Sequence, residues 1–499
     1  MPQELPGFYY DAEKNRYFPI KSPIPGAPPS TSASQKPTSI SKKAKYGGNE
    51  IADKVVTMLH VRELCGNSIS SNKKKVNFEN QYQKIRASKP IVWKYQETER
   101  DSDAALEHVY VNVQTRDGLT ESEVLLTGGL NNMFRCYEVG SVMERDGIIG
   151  WEIVPDLLQP TNIEKQTASL KSPGPVYSPH LFQMGSNISC IKIPRNYDPQ
   201  ATDVDSSVSH ALMTTLGSET SGGSVCLMNL SEPLDLGRRI DEISVFKSTI
   251  WTADSYSDGS RAVVGTNIGA ALVNIETGRK SWICRSKSDV LSLQLDYSGK
   301  LVLCGLRNGA IVTVDTRQKP QDLHAGCPKH EISFPSIKTG KSNSARGQKR
   351  DKQWFEVRGN VDHSRMIFMP SSISCLVALK LYDQYFLASS MDGTMRLYDH
   401  RLTQRGAVQL YEGNVNSHTR IQMGVDPSER FLMSGGEDFY MRMWSIKSGE
   451  MLYEDKFMNS VPSVLCWARG GPDCNRGPKN HLPGAWLGSQ EGLFYVNTS

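Results

Sequence analysis

Apolar and polar residues alternate with a period of two along much of the chain, most clearly over residues 373–401. Such alternation is typical of β-strands that bury one face. Here it predicts three strands, at Ser372–Leu379, Tyr385–Ser390 and Thr394–Asp399. Asp392-Gly393 predicts a hairpin between the last two strands, because glycine adopts the positive φ of a two-residue turn. This stretch therefore indicates short antiparallel strands.

The same three-strand unit recurs along the chain seven times. Apart from one longer gap, the third strands of successive units end 41 to 46 residues apart, near Asn229, Asn274, Asp315, Asp399 and Ser445. A repeat of about 40–45 residues is the period of WD-repeat propeller blades. The sequence therefore predicts an all-β fold, a seven-bladed WD-repeat β-propeller. Ser244–Ala253 is interpreted as the first strand of the third unit.

The chain divides into three predicted regions. Residues 1–49 hold an aromatic segment, which either docks on a partner or pairs as a strand with the propeller, and then a disordered linker rich in Ser, Pro and Lys. Residues 50–90 predict a helix–loop–helix, with helices at 50–65 and Phe78–Ser88. The propeller occupies 91–499, with surface-loop insertions at 141–186 and 318–370. Because the seventh unit stops at its third strand, Ile91–Gln96 is the candidate to complete it and close the ring.

Composition narrows the function classes. A net charge of +4 on 499 residues gives no concentrated basic surface, so a dedicated nucleic-acid binder is not expected. The sequence has neither an apolar run of membrane-spanning length nor a secretory signal, and no membrane partner is expected. Ten cysteines lack C-x-x-C pairs, and Cys136, Cys190, Cys304 and Cys375 are interpreted as thiols within strands. The lysines at 42–45 fit an import patch or a solvated linker, which leaves a nuclear and/or cytoplasmic location open.

The sixth unit contains the four residue types of the structural WD-repeat tetrad. They are His418, Ser434, Asp438 and Trp444. We expect them to link three strands and a turn by side-chain hydrogen bonds, because buried polar groups must be paired. The alternative is a Ser–His–Asp hydrolase triad, but Ser434 lies in a predicted strand and the sequence has no G-x-S-x-G nucleophile elbow there. The protein is not expected to be an enzyme.

Two units end in Asp-x-Arg, at Asp315-Thr316-Arg317 and Asp399-His400-Arg401. An arginine two residues beyond the third strand reaches the propeller rim, where its planar fork suits a partner carboxylate or carbonyl. The alternative is an ion pair with a neighbouring blade. The same motif in two blades favours an interface.

The second insertion offers two further candidates. Residues 338–354 are basic and are interpreted as a solvated loop, with nucleic-acid contact as the alternative. His324, Cys327 and His330 form H-x2-C-x2-H, but zinc needs a fourth ligand and cleaner spacing. We expect neither a metal nor a cofactor.

The N-terminal ELPGFYYDAEKNRYF (4–18), together with the propeller and the two Asp-x-Arg endings, resembles WD-repeat substrate receptors of the cullin-4 RING ubiquitin ligases, the DCAF family. The resemblance implies binding to the propeller-built damaged-DNA-binding adaptor that bridges to cullin-4. It places Arg317 and Arg401 against the adaptor, with Asp315 and Asp399 in support, and both predicted helices within it. In this chain Val314 and Tyr398 replace the tryptophan of W-D-x-R.

The expected function is therefore non-catalytic recognition of an unidentified protein substrate for ubiquitination. The alternative is a WD-repeat scaffold in an RNA-processing or chromatin complex, in which the basic insertion would contact nucleic acid.

Overall fold

The computed structural model describes residues 8–11, 16–19, 68–71, 74–115, 118–140, 152–159, 173–195, 210–218, 220–230, 240–318, 329–331, 354–468 and 484–497. Two compact units divide the chain, Met1–Glu50 and Ile51–Ser499. In the first, strands Phe8–Asp11 and Arg16–Pro19 pair antiparallel. The linker and the predicted helix at 50–65 lie outside the described residues.

Seven antiparallel sheets of the second unit form the blades, which confirms the predicted seven-bladed propeller. We number the strands of each blade first to fourth. Blade 1 comprises Ala105–Thr115, Gly118–Gly128, Met133–Val139 and Val176–Gln183. Blade 2 comprises Ile188–Lys192, His210–Thr215, Ser224–Asn229 and Ile240–Val245. Blade 3 comprises Ile250–Ser255, Arg261–Thr266, Gly269–Asn274 and Lys280–Ser286. Blade 4 comprises Val290–Leu295, Leu301–Leu306, Ala310–Asp315 and Ile367–Phe368. Blade 5 comprises Ile373–Ala378, Tyr385–Ser390, Met395–Asp399 and Gln409–Tyr411. Blade 6 comprises Met423–Val425, Phe431–Gly435, Met441–Ser445 and Met451–Asp455.

Blade 7 joins the two ends of the propeller. Its first three strands are Val464–Trp467, Ala485–Ser489 and Gly492–Asn497, and its fourth is Ile91–Tyr95. Val92 lies opposite Val496 in the antiparallel register. The predicted role of Ile91–Gln96 in closing the ring is thereby confirmed.

The two insertions contain strands, so their interpretation as surface loops is wrong in part. From 141–186, Val176–Gln183 is the fourth strand of blade 1, Glu152–Ile153 pairs beside it, and Pro155–Gln159 extends blade 7. From 318–370, Ile367–Phe368 completes blade 4, while Trp354–Gly359 and Lys329–Glu331 extend blade 3. These strands lie at the outer edges of their sheets, where few of their residues are buried, such as Val176 and Val357, and the apolar alternation is correspondingly weak.

The predicted strand Ser244–Ala253 is also wrong. It runs across the end of one blade and the start of the next, because Ile240–Val245 is the fourth strand of blade 2 and Ile250–Ser255 is the first of blade 3. In the outer strand only Ser244 is buried, so its apolar pattern is incomplete.

The hydrophobic core lies between neighbouring blades. One cluster joins Leu303 and Ile311 of blade 4 to Ile373, Phe386 and Tyr398 of blade 5. Gly305 keeps this contact close, since a Cβ there would lie 2.5 Å from Ile373 Cγ2. The blades are thus held together by apolar side chains that interdigitate from sheet to sheet.

The helix α1 (Phe78–Ala87) falls within the predicted helical range 78–88 and follows a hairpin of Ser68–Ser71 and Lys74–Asn77. Ala87 at its end is fully buried in a cluster with Val92 and Met433. Two short 3-10 turns lie at His363–Arg365 and Thr403–Arg405. Across the described residues, no helix combines the length and the apolar character that crossing a membrane requires.

Candidate functional site

The two Asp-x-Arg motifs lie on the same face of the propeller. In an antiparallel blade the first-to-second and third-to-fourth connections share one face, and both motifs follow a third strand. We call this the DxR face, defined by Asp315–Arg317 of blade 4 and Asp399–Arg401 of blade 5. The second-to-third connections and the links between blades lie on the opposite face.

Asp315 holds Arg317 in a two-pronged ion pair. Arg317 Nε donates to Oδ1 at 3.0 Å and Nη2 to Oδ2 at 2.7 Å, while the Arg317 backbone N–H donates to Oδ1 at 2.9 Å. The hydrogen bond from Arg317 lowers the pKa of Asp315. The Arg317 side chain stays 62% exposed. A guanidinium has five N–H donors, so this orientation leaves donors free to meet a partner.

Asp399 and Arg401 repeat this arrangement more loosely. The Arg401 backbone N–H donates to Asp399 Oδ1 at 2.9 Å, and its Nε lies 3.4 Å from the same oxygen. Burial opposes ionisation of Asp399, but the hydrogen bonds from Arg401 outweigh it and lower its pKa. Both arginines are therefore paired within their own turn, whereas the sequence alternative was a pair with a neighbouring blade.

A groove of about 720 Å³ lies between the turns of blades 4 and 5 on the DxR face. Its lining includes Arg317, Arg365 and His400 together with Asp296 and Asp383. Burial lowers the pKa of His400, and the charges of Arg365 and Arg401 add to this against the opposing charge of Asp399. His400 is therefore neutral at neutral pH and offers one donor and one acceptor. The groove presents both signs of charge and suits a polar protein surface.

Exposed apolar side chains stand beside the groove on blade 5. Leu381 is 61% exposed, and Tyr382 and Leu402 are also exposed. The Glu429 carboxylate of blade 6 fixes this turn by accepting the backbone N–H groups of Lys380 and Leu381. The sequence reasoning missed these residues; the signal was the apolar pair Leu381-Tyr382 in a turn, where polar residues are usual.

The helix α1 is attached to blade 6 on this same face. Lys84 Nζ lies 2.8 Å from Glu450 Oε2 and donates to Ser448 Oγ at 3.1 Å. Ser448 and Glu450 belong to the connection between the third and fourth strands. The helix therefore continues the surface formed by blades 4 and 5, although blade 6 itself ends in Trp444-Ser445-Ile446-Lys447 without the motif.

The chain is similar to part of several curated proteins. It is 26% identical over 211 residues to DDB1- and CUL4-associated factor 4 of Bos taurus, and the alignment covers 40% of this chain and 34% of the relative. With the Homo sapiens protein of that name it shares 27% identity over 192 residues, 38% of this chain and 29% of the relative. DDB1- and CUL4-associated factor 4-like protein 2 of Homo sapiens is 27% identical over 208 residues, 40% of this chain and 42% of the relative. These matches make the chain similar to WD-repeat members of the DCAF family.

Each alignment covers less than half of this chain and less than half of the relative. The aligned part spans about a third of the length of the first two relatives, 34% and 29%. An uncharacterised WD repeat-containing protein of Caenorhabditis elegans is 24% identical over 44% of this chain and 34% of its own length. No protein-family model matches the chain.

The residues that replace the tryptophan of W-D-x-R in this chain are core residues. Val314 is fully buried, and Tyr398 is buried and stacks on Phe386 with ring centroids 5.6 Å apart. Both therefore anchor the third strand, so the loss of tryptophan leaves the following Asp-x-Arg turn in place.

The predicted tetrad of blade 6 does not form, and its members have other partners. The His418 side chain is 86% exposed and its Nδ1 lies 2.7 Å from Ser417 Oγ. Ser434 Oγ donates to the Gly435 carbonyl at 3.2 Å, and Trp444 Nε1 donates to the Glu412 carbonyl at 2.9 Å. The same positions exclude the Ser–His–Asp triad that the sequence raised.

The tetrad does not form because two neighbouring acids and a buried arginine take other partners. Asp438 pairs with the guanidinium of Arg442, whose side chain is almost fully buried. Glu437 instead accepts hydrogen bonds from the loop 417–419, at 2.6 Å from Ser417 Oγ and 2.9 Å from the Thr419 backbone N–H. The loop is thus held by Glu437, which leaves His418 in solvent.

Other candidates lie largely outside the described residues. This holds for His324 and Cys327 of the zinc candidate and for the basic run up to 353, while His330 lies in a described strand, Lys329–Glu331. Within the part of the chain that the structure describes, no group of His, Cys, Asp and Glu is arranged to hold a metal ion. Cys136, Cys190 and Cys304 are buried within strands, and Cys375 is half-buried in one.

Proposed function

We propose that the protein is a non-catalytic substrate receptor of a cullin-4 RING ubiquitin ligase and binds the adaptor DDB1 through its DxR face. The observation that carries the proposal is the placement of Arg317 and Arg401 on one face, in adjacent blades, with their guanidinium groups oriented by Asp315 and Asp399 and exposed. Relatives named for association with DDB1 and CUL4 support it.

The composition of this face supports a protein interface. Arginine and tyrosine are enriched among the residues that dominate binding energy, and apolar neighbours exclude water around them. Leu381, Tyr382 and Leu402 supply that apolar area next to Arg401. Because each arginine is already held by its own aspartate, its side chain loses less conformational entropy on binding than a mobile arginine side chain would.

The proposed role needs no chemistry from this chain. A receptor that holds a substrate beside a ubiquitin-charged enzyme raises their effective concentration. With the adaptor on the DxR face, the substrate would meet the opposite face and the insertions 141–186 and 318–370.

The test is co-purification of the full chain with DDB1 and cullin-4. We expect wild type to bind and the Arg317→Ala, Arg401→Ala double variant to lose at least about tenfold in affinity, since two oriented interface arginines contribute roughly 1–2 kcal/mol or more. Thermal stability should stay close to that of wild type, because both side chains are exposed.

Arg307→Ala is the matched control. Arg307 also pairs with an aspartate, through Nε at 3.0 Å and Nη2 at 2.7 Å to Asp289 Oδ2, but its turn joins the second and third strands and so lies on the opposite face. It should retain binding. Equal affinity of wild type and the double variant would refute the DxR interface, and absence of binding by wild type would refute the receptor function.

A further inference from the structure

Arg420 reaches across the central channel of the propeller. It lies in the link between blades 5 and 6, just before the first strand Met423–Val425, and therefore on the face opposite the DxR face. Its Nη1 donates to the backbone carbonyl of Ser189, in the first strand of blade 2, at 3.4 Å. Blades 2 and 6 are not neighbours, so the side chain spans the channel mouth.

The positive charge of Arg420 is not compensated by any carboxylate in the described part of the chain. Its Nε is buried without a hydrogen-bond partner, and the bond to Ser189 is long. Glu437, in the neighbouring turn between the second and third strands of blade 6, accepts hydrogen bonds from Ser417, His418 and Thr419 rather than from Arg420. Arginine does not lose its proton in proteins, so burial imposes the cost of an unpaired charge.

Arg195, at the other end of the channel, differs from Arg420 because its guanidinium contacts a carboxylate and two backbone carbonyls. Its Nη2 lies 3.3 Å from Asp254 Oδ2 and donates to the Leu295 carbonyl at 2.7 Å, and Nη1 donates to the Asp296 carbonyl at 3.0 Å. The contrast makes the unused donors of Arg420 a specific feature of the opposite mouth.

Lys192 adds a second cation deeper in the channel. It interacts electrostatically with the Cys190 and Cys375 thiols, as Arg420 does, and none of the described residues accepts a hydrogen bond from its ammonium group. Burial disfavours its charge, but Glu107 and Asp254 outweigh this and raise its pKa. Glu107 therefore offsets Lys192, and Asp254 is engaged by Arg195 and Gln294, so the charge of Arg420 is the one left uncompensated among these groups.

We propose that this channel mouth binds an oxyanion on the Arg420 guanidinium, with Lys192 as a supporting charge. A planar guanidinium with unused N–H groups suits two-pronged contact with a carboxylate or a phosphate. The carboxylate would come from an acidic segment of a protein partner, and the phosphate from solution. The site stands on its own geometry and does not rest on adaptor binding, which uses the other face.

Fluorescence anisotropy on the purified full chain tests the site without adaptor. The probes are a labelled oligoglutamate peptide with an amidated C-terminus, a Gly-Ser peptide of equal length with a free C-terminal carboxylate, and inorganic phosphate as competitor. We expect oligoglutamate to bind at low salt and Arg420→Gln to weaken it by about tenfold or more. Lys192→Met should weaken it less, because Glu107 already offsets that charge.

Arg307→Gln is the control on the same face, because its guanidinium is already paired with Asp289. It should change affinity by less than about twofold. Binding of the Gly-Ser peptide alone would assign the site to a chain-terminal carboxylate, and displacement by phosphate would extend it to free oxyanions. Absence of binding by all three probes, or equal affinity of wild type and Arg420→Gln, overturns the proposal.

Two further measurements distinguish a ligand-binding role of Arg420 from a purely structural one, in which its side chain only stabilises the fold. Arg420→Gln should leave the melting temperature unchanged or higher, since it removes an unpaired charge; a lower melting temperature with unchanged binding would indicate the structural role. On wild type, saturating oligoglutamate should slow alkylation of Cys375, which is half-buried near Arg420. Unchanged alkylation would overturn the proposal even if the variant failed to fold.

Discussion

Glu437 carries an ionised carboxylate that the folded chain strongly favours. Burial opposes its charge, but hydrogen bonds from Ser417, His418 and Thr419 outweigh this and lower its pKa from 4.5 to about 2. A depressed carboxyl pKa means stability that is fully present above about pH 4.5 and is lost as the pH falls towards 2. Glu437 therefore links the stability of blade 6 to pH.

We expect Glu437→Gln to lower the free energy of unfolding at neutral pH by about 1–2 kcal/mol, a figure that allows for solvent screening. The deficit should shrink as the pH falls below about 4.5, where wild type begins to lose the same interaction. Denaturant unfolding of both proteins across this range measures it. Glu450→Gln, at an exposed ion pair, is the control with little effect; a deficit that stays constant with pH would contradict the assignment.

At the residue scale, spacing located the acids but not their partners. Asp438 stands where the tetrad pattern places an aspartate, yet Arg442, four residues later, takes its carboxylate, and the adjacent Glu437 holds the loop. Which of two neighbouring acids faces a loop depends on tertiary contacts that spacing does not encode. The Asp-x-Arg pairs were easier to predict, because each forms within three consecutive residues. Their role towards an adaptor remains a prediction.

At the scale of elements, the inner strands were predictable and the outer ones were not. First to third strands bury one or both faces, so they show either apolar alternation or a continuous apolar run, as in Leu301–Leu306, where every residue except Leu301 is buried. Fourth strands such as Gln409–Tyr411 are short and partly exposed, so little in their sequence distinguishes them from loops. Consequently the insertions were interpreted as loops although they supply strands to four blades.

The attachment of α1 is open to a direct test. Ala87 is fully buried against Val92 and Met433, with no room for a longer side chain. We expect Ala87→Arg to detach the helix and to speed amide hydrogen exchange over residues 78–87 by about tenfold or more, as overpacking costs about 1–3 kcal/mol. Lys84→Ala should have a smaller effect, because its ion pair with Glu450 is largely exposed. Equal exchange in Ala87→Arg and wild type would show that burial of Ala87 does not hold the helix.

At the scale of the whole molecule, the two faces of the propeller should act independently. The DxR arginines lie on one face and Arg420 lies at the channel mouth on the other. Substitutions at one site should therefore leave binding at the other unchanged, since effects at distant sites without shared partners are close to additive. On the proposed function, this separation would let the protein hold the adaptor and an oxyanion ligand at the same time.

Ring closure by Ile91–Tyr95 is the contact on which the whole propeller depends, because it pairs the edge that blade 7 would otherwise expose. Val92 is fully buried in this strand, so Val92→Asp places an unpaired charge in the core and should cost more than about 3 kcal/mol. We expect calorimetry to show a much lower melting temperature and loss of a single cooperative transition. Lys94→Gln, in the same strand, removes only an ion pair at 4.0 Å to Glu491 and a contact with the Phe494 ring, and should melt close to wild type. If Val92→Asp melts like Lys94→Gln, the blades hold together without the N-terminal strand, and closure is not what keeps the two binding faces in register.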